Sequence, residues 1–483
     1  MAFRKHPPTV NPGTERDKYT KDKEPNIPFV NFQFKHALSL VIFLSIWFFL
    51  LFFWFPPKTT QPHLHNDSKI TTTTKSPTMP TCYGGASVYV YDLPPEFNLG
   101  LLKDCPHLNV YTDMCPHVAN SGLGQQLSDM GPSTSSWFAT HQFIAEMIFH
   151  ARVEKHPCRT WDPVRANLFY VPFYGGLYAS SKFREQNLTA RDALAVKLIN
   201  YLREQPWWER HHGKDHFLAL GRTAWDFMRT TGGTDFGANC LLNLPPVQNM
   251  SVLTVERNPW KGSNQHGIPY SSYFHPSTSD EMVAWQHRMR QSERPHLFSF
   301  IGGPREGLEK AAVRNEIIKQ CAESTRCELL KCGKGASQCH EPKEVLKVMT
   351  RSHFCLQAPG DSFTRRSTFD SVLAGCVPVF FSPHTAYSQY EWFFPGDPNT
   401  YSVYVRGNAT RRIEEVLSEI PAYKIERMRS TVIDLIPTIT YVHPNASHYR
   451  FRDAVDVALQ ALSKHVQSKL RLPMKKQKTL VSS

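Results

Sequence analysis

Residues 357–382 read QAPGDSFTRRSTFDSVLAGCVPVFFS. The stretch divides into a strand end, a glycine-containing turn, a helix over 364–375 and a second strand from Val377 to Phe381. Strand, helix and strand in this order form a βαβ unit, and such units build parallel sheets. The turn brings Gly360, Ser362, Thr364, Arg365 and Arg366 to the helix start. Backbone N–H groups there lack intrahelical partners and carry partial positive charge, so acids are the residues expected. Two adjacent arginines run against that preference. With the hydroxyls they compose an anion site suited to a diphosphate. Asp370, one to two turns further on, can accept from ribose hydroxyls. The plain alternative is an ordinary helix start whose arginines pair with surface acids.

Upstream, Leu297 to Ile301 (LFSFI) is a predicted strand ending in Gly302-Gly303-Pro304-Arg305. Glycines let the backbone approach a ligand, and Arg305 reaches the same region from the strand tip. Helices are predicted over 308–320 and 341–351, and a short strand over Phe354 to Leu356. The same alternation occupies the preceding half. Predicted strands cover VYVYDL (88–93), Ala166 to Tyr174, His216 to Gly221 and Met250 to Glu256. Helical spacing appears over 137–152 and in RDALAVKLINYLRE, which Thr189 can cap. A link over 258–295 contains Pro259, Pro269, Pro276 and Pro295. Two α/β halves joined in this way predict two facing Rossmann-type doubly wound domains, over 82–290 and 291–463. Their cleft should lie at the carboxyl ends of the strands.

The ends of the chain differ from this body. Ala37 to Phe55 is 19 residues without a charge, about 28 Å of helix and enough for a bilayer core. A basic flank before it favours a cytoplasmic tail over 1–36 and a lumenal body. Residues 56–81 hold eight Thr and five Pro and read as an extended stem. All 11 cysteines lie beyond the span, as do the sequons at Asn66, Asn187, Asn249, Asn408 and Asn445. The spacings Cys105/Cys115, Cys321/Cys327 and Cys332/Cys339 suit short-range disulfides. Cys332…Cys339-His340 could also suggest zinc, but no C-x-x-C occurs. The net charge of +13 is concentrated in the tails, including a basic C-terminal tail over 464–483. A nearly balanced body argues against nucleic acid.

Several segments give the chain a family likeness: VYVYDLPPEFN (88–98), VPFYGGLY (171–178), GKDHFLALGRTAWDF (213–227), GIPYSSYFHP (267–276), LFSFIGGPR (297–305) and the 357–382 block. Through them it resembles the exostosin-type glycosyltransferases, family 47, and within these the plant xyloglucan galactosyltransferases of the MUR and KATAMARI type. The resemblance spans roughly 82–465. It implies a GT-B fold, a UDP-sugar donor held by the C-terminal half, a xyloglucan acceptor on the N-terminal half, and inversion at the anomeric carbon. UDP-galactose is the donor expected. Arabinosyl or galacturonosyl transfer, or a non-catalytic glycan-binding subunit, are the alternatives. It further implies a type II Golgi membrane protein that associates with other wall-polysaccharide synthases.

The residues fit that assignment chemically. No D-x-D occurs, so no metal or other cofactor is expected, and Arg305, Arg365 and Arg366 would stabilise the departing UDP. Inversion requires a base near the acceptor hydroxyl. Asp226, Glu256 and His216, each placed at or just after a predicted strand end, are the candidates. Each could equally be structural, in an ion pair or a buried hydrogen bond. Arg222 could orient such a carboxylate. Trp207, Trp208, Trp225, Trp260, Tyr270 and Tyr273 fall in or near predicted loops, where aromatic faces suit sugar rings. Arg222, Trp225 and Tyr270 are the acceptor-side candidates, whereas Trp161 and Trp285 read as packing residues.

Overall fold

Short runs of Val, Phe, Tyr and Leu form the strands, and those at the sheet centres are buried on both faces. Every residue of β3 (Leu168–Val171), β5 (Ser251–Glu256) and β10 (Val377–Phe380) is buried. That is the pattern of parallel sheets covered by helices on each side. The computed structural model describes Cys82 and residues 85–471, apart from 129, 131–133, 235, 334–336 and 447–448. The expected cytoplasmic tail, membrane helix and stem, Asn66, and residues 472–483 lie outside the described residues.

Among the described residues, two all-parallel sheets are present. The first has the order β2-β1-β3-β4-β5-β6, with β1 Val88–Val90, β2 Arg159–Thr160, β4 His216–Thr223 and β6 Gln265–Gly267. The second has the order β11-β10-β9-β7-β8, with β7 His296–Gly302, β8 Cys327–Lys331, β9 Ser352–Gln357 and β11 Val403–Tyr404. In each, the chain steps one strand outward, then returns past its starting strand and winds the other way. β1 therefore pairs directly with β3, and β7 with β9. Such reversals leave a crevice at the strands' carboxyl ends, where doubly wound sheets receive ligands.

The longer α-helices among the described residues are α1 (Ala145–Glu154), α2 (Gly175–Ser181), α3 (Leu188–Arg203), α4 (Ser279–Gln291), α5 (Val313–Glu323), α6 (Pro342–Thr350), α7 (Arg366–Leu373), α8 (Ala422–Ile439) and α9 (Ala454–Arg471). The helical spacing over 137–152 is realised only from Ala145. Trp137 instead bridges Phe274 and packs 4.8 Å from its ring and 4.7 Å from Trp285. α3 starts one residue before Thr189, capped by Asn187, whose side chain accepts from the Ala190 amide at 3.2 Å. The proline-rich link contains β6 and α4, the latter opened by a capping box between Thr278 and Glu281.

The chain crosses between the halves more than once. α4 packs toward the second sheet, where Trp285 Nε1 donates to the Leu373 carbonyl and Gln286 to that of Ile433. α9 returns to the first: Arg152 on α1 pairs with Asp453 at 2.8 Å, and His156 with Asp456 at 2.8 Å. One apolar cluster holds Leu253, Val255 and Tyr270 together with Phe369, Val372 and Tyr390. At about 1.5–3 kcal/mol per buried large side chain, that shared core is a main source of cohesion.

Disulfides join Cys82–Cys158, Cys105–Cys115, Cys321–Cys327, Cys332–Cys339 and Cys355–Cys376, leaving the buried Cys240 as the odd thiol. Cys332 and Cys339, considered above for zinc, are thus bonded to each other. Asn187, Asn408 and Asn445 are exposed and Asn249 is half-buried. Among the described residues, no helix is long and apolar enough to cross a membrane.

Candidate donor site and interlobe cleft

At the reversal point of the second sheet, β7 ends in Gly302-Gly303 and β9 runs into the loop 358–365. A Cβ on Gly303 would fall 2.3 Å from the Cys332 carbonyl oxygen, and one on Gly360 would fall 1.7 Å from an Arg365 guanidinium nitrogen. Glycine at 360 is therefore what lets Arg365 fold back over its own loop. The Arg365 guanidinium donates to Ser362 Oγ at 3.1 Å and to the Thr364 carbonyl at 2.9 Å. Among the described residues it has no ion-pair partner. Arg305, half-exposed, lies 3.4 Å from Asp361.

A third cation completes the group. Arg314, on the first turn of α5, donates to the carbonyls of Gly303 at 2.8 Å and Ala358 at 3.2 Å, tying the two strand-end loops together. Burial, then the fields of Arg365 and Arg305, pull its pKa down to about 10. It remains charged near neutral pH, and an anion placed among the three guanidinium groups would relieve their repulsion.

Arg366 and Asp370 face elsewhere. Arg366 donates to the Thr140 carbonyl at 3.0 Å and to the Tyr273 hydroxyl, with its guanidinium 4.3 Å from the Tyr273 ring centre. Asp370 is 2% exposed and accepts from Ser272 Oγ at 2.6 Å. Burial raises its pKa, against the field of Arg366. The adjacent arginines thus part: Arg365 stays with the strand-end loops, while Arg366 and Asp370 join α7 to the first half.

From the first sheet, Glu256 ends β5 against the loop 358–365 and is fully buried. Its carboxylate accepts from Trp225 Nε1 at 2.7 Å and from the amides of Phe363 at 3.3 Å and Thr364 at 2.8 Å. The Thr364 hydroxyl also donates to it, and the Tyr270 hydroxyl lies 3.0 Å from that of Thr364. Asp226 is buried and paired with Arg222 at 2.7 Å. Arg222 also donates to Ser180 and lies between the rings of Phe143 and Phe183. His216 begins β4 rather than ending it. It is fully buried, with Nδ1 2.8 Å from Asp215 and Nε2 2.8 Å from the Tyr91 hydroxyl. Both ring nitrogens are thereby occupied at the far end of the strand from the cleft.

Trp260 is 63% exposed and gathers Trp225, Phe363 and His384 within 5.2–6.1 Å between ring centres. Trp208, Tyr270 and Tyr273 are buried, and Trp207 packs on Phe169. Trp161, read as a packing residue, is 79% exposed with the Arg159 guanidinium over its ring, whereas Trp285 is buried.

The exostosin GT47 domain matches residues 83–420. The chain belongs to that family. It is 65% identical over 387 residues to a probable xyloglucan galactosyltransferase of Arabidopsis thaliana, GT17, covering 80% of this chain and 84% of the relative. With the Arabidopsis xyloglucan galactosyltransferase MUR3 it shares 44% over 386 residues, 78% of this chain and 62% of the relative. With the Arabidopsis xyloglucan-specific galacturonosyltransferase 1 it shares 38% over 390 residues, 79% and 57%. Among solved structures, a glycosyltransferase from Rickettsia africae aligns at a TM-score of 0.30 and 7% identity, covering 80% of this chain and all of that one. The GtfA/B complex aligns at 0.27 and 12%, covering 56% and 60%. Scores that low carry no argument, so the fold description rests on strand order alone.

In this GT47 chain the sequence reading missed three groups besides Arg314. Glu146, fully buried on α1, accepts from the amides of Gly176 and Leu177 at 2.8 Å and Gly221 at 3.0 Å. Burial lifts its pKa to about 7 even so. A Cβ on Gly176 would reach that carboxylate at 2.8 Å, so the Gly175-Gly176 pair after β3 was the available signal. Arg314 likewise sits on the buried stripe of α5 with Ile317 and Cys321, a charge where an apolar residue is expected. His117 and His141 come together from segments 24 residues apart, with ring centres 5.1 Å apart. No local pattern announces that pair.

Proposed function

We propose that this chain is an inverting galactosyltransferase that moves galactose from UDP-galactose onto xylosyl side chains of xyloglucan. The observation that carries the reading is the gathering of Arg305, Arg314 and Arg365 at the β7/β9 reversal. A doubly wound sheet takes a nucleotide at that place. Fixed guanidinium groups there stabilise the negative charge that develops on a departing diphosphate. A glycan-binding scaffold has no need of such a group. The donor and acceptor come from the relatives, of which those at 65% and 44% are named as xyloglucan galactosyltransferases.

The two sheets with a cleft between their strand ends suit a GT-B plan, with the donor on the second half and the acceptor on the first. Trp260 and Trp225, at the mouth of that cleft, offer an aromatic face to a sugar ring. With no D-x-D, arginines take the charge-neutralising part, and transfer should persist in chelator. Residues 37–55 would anchor the chain in the Golgi membrane with the stem and body in the lumen, where the five disulfides persist.

The test offers a xyloglucan oligosaccharide with a panel of UDP-sugars and reads product mass. Addition of one hexose from UDP-galactose alone is expected. A uronic acid product would replace galactose with galacturonate as the sugar moved. Absence of product from every donor, with folded protein, would contradict the transferase reading.

A further inference from the structure

His117 and His141 are held in opposite tautomers. His117 Nδ1 lies 3.2 Å from the Ala139 carbonyl oxygen, which can only accept, so Nδ1 carries the proton. Its Nε2 is left with a lone pair. His141 Nδ1 accepts from the Phe143 amide at 3.2 Å, so the proton of that ring sits on Nε2. Neither Nε2 has a partner among the described residues, and both side chains are partly exposed. Burial, with the fields of His117, Arg366 and Arg222, depresses the His141 pKa to about 3, which keeps it a neutral donor.

The pair stands at the meeting of the halves. The loop that carries His141 gives its Thr140 carbonyl to Arg366, the first residue of α7 and the neighbour of Arg365. On the other side, Phe143 lies 4.5 Å from the Arg222 guanidinium at the end of β4 and 6.1 Å from the Tyr270 ring. The ring centres are 5.1 Å apart, and a hydroxyl that met both rings would donate to the Nε2 of His117 and accept from that of His141. The three carboxylate and imidazole groups read from the sequence as bases have no such freedom. Glu256 is saturated with donors, Asp226 is paired with Arg222, and His216 is enclosed.

We infer that His117 is the proton acceptor of the transfer reaction, with its tautomer fixed by the Ala139 carbonyl, and that His141 orients the attacking hydroxyl. The inference rests on the transferase reading above. The acceptor O–H bond breaks and its proton passes to His117 Nε2. The oxygen's electron pair forms the new bond to the anomeric carbon. The bond from that carbon to the diphosphate oxygen breaks, with its electron pair leaving on UDP. The imidazolium then returns its proton to water.

The experiment compares the full chain with His117→Asn and His117→Ala. Asparagine places an N–H where Nδ1 stands and keeps the bond to Ala139, yet has no base at the Nε2 position. His117→Asn should lose at least 100-fold in kcat, the order expected of general-base catalysis. KM for the oligosaccharide, UDP affinity and melting temperature should stay near the parent values. Added imidazole should restore part of the His117→Ala rate. A His117→Asn enzyme with kcat within threefold of the parent overturns the inference and leaves the transferase reading standing. Failure of the parent itself to transfer from any UDP-sugar overturns both.

Discussion

The Glu256 carboxylate, at the end of β5 in the first sheet, accepts a 2.8 Å hydrogen bond from the Thr364 amide in the β9–α7 loop of the second. A single buried side chain thereby couples the end of β5 in the first half to the loop that carries Arg365. It also takes hydrogen bonds from Trp225, Phe363 and the Thr364 hydroxyl, so its oxygens are already engaged.

Glu256→Gln is expected to act first on stability. The amide would turn one acceptor into a donor facing N–H and O–H groups, at a cost on the order of 3 kcal/mol. Chemical denaturation of the variant should show that loss. Unchanged stability with abolished turnover would instead make Glu256 a participant in proton transfer.

Gly360→Ala should mimic removal of Arg365. The added methyl occupies the guanidinium position, so the arginine must leave its place beside Ser362. UDP affinity should fall roughly as far in Gly360→Ala as in Arg365→Ala, and the double variant should fall little further, as for residues acting through one group. Additive losses, measured by calorimetry, would separate the two.

Arg366→Ala should behave differently from its neighbour. Its bonds run to Thr140 and Tyr273, not to the strand-end loops. Melting temperature should drop by roughly 3 °C or more, with UDP affinity within threefold of the parent. A tenfold loss of UDP affinity at unchanged melting temperature would return Arg366 to the donor site.

Glu146 gives the fold a pH dependence of known sign. Its pKa rises from the ordinary 4.5 to about 7 on folding, so between those values the folded chain holds the proton that the unfolded chain releases. Stability contributed by this group is present at and below pH 4.5 and is lost as pH rises through 7, by about 3 kcal/mol. Glu146→Gln should flatten that segment of the stability–pH curve. An unaltered slope between pH 5 and 7 would contradict the assignment.

Much of the fold is legible in local sequence because central parallel strands announce themselves as apolar runs: Ala166 to Tyr174, His216 to Gly221, Met250 to Glu256 and Val377 to Phe381 each contain a strand. Short edge strands such as β2 and β11 bury little and leave no such trace. The strand-end glycines and Arg365 were readable for the same reason as the strands, since their constraint is local. Arg366 was not separable from Arg365 by sequence, because the rotation of α7 decides which of two neighbours faces the first half. His117, His141 and Arg314 escaped notice because their environment is assembled from segments distant along the chain.

The most direct test of the account is UDP titrated into the purified chain and its Arg365→Ala variant. The guanidinium group at the β7/β9 reversal predicts at least tenfold weaker binding at unchanged melting temperature. Equal affinity in the two proteins would contradict the donor site and the reading built on it.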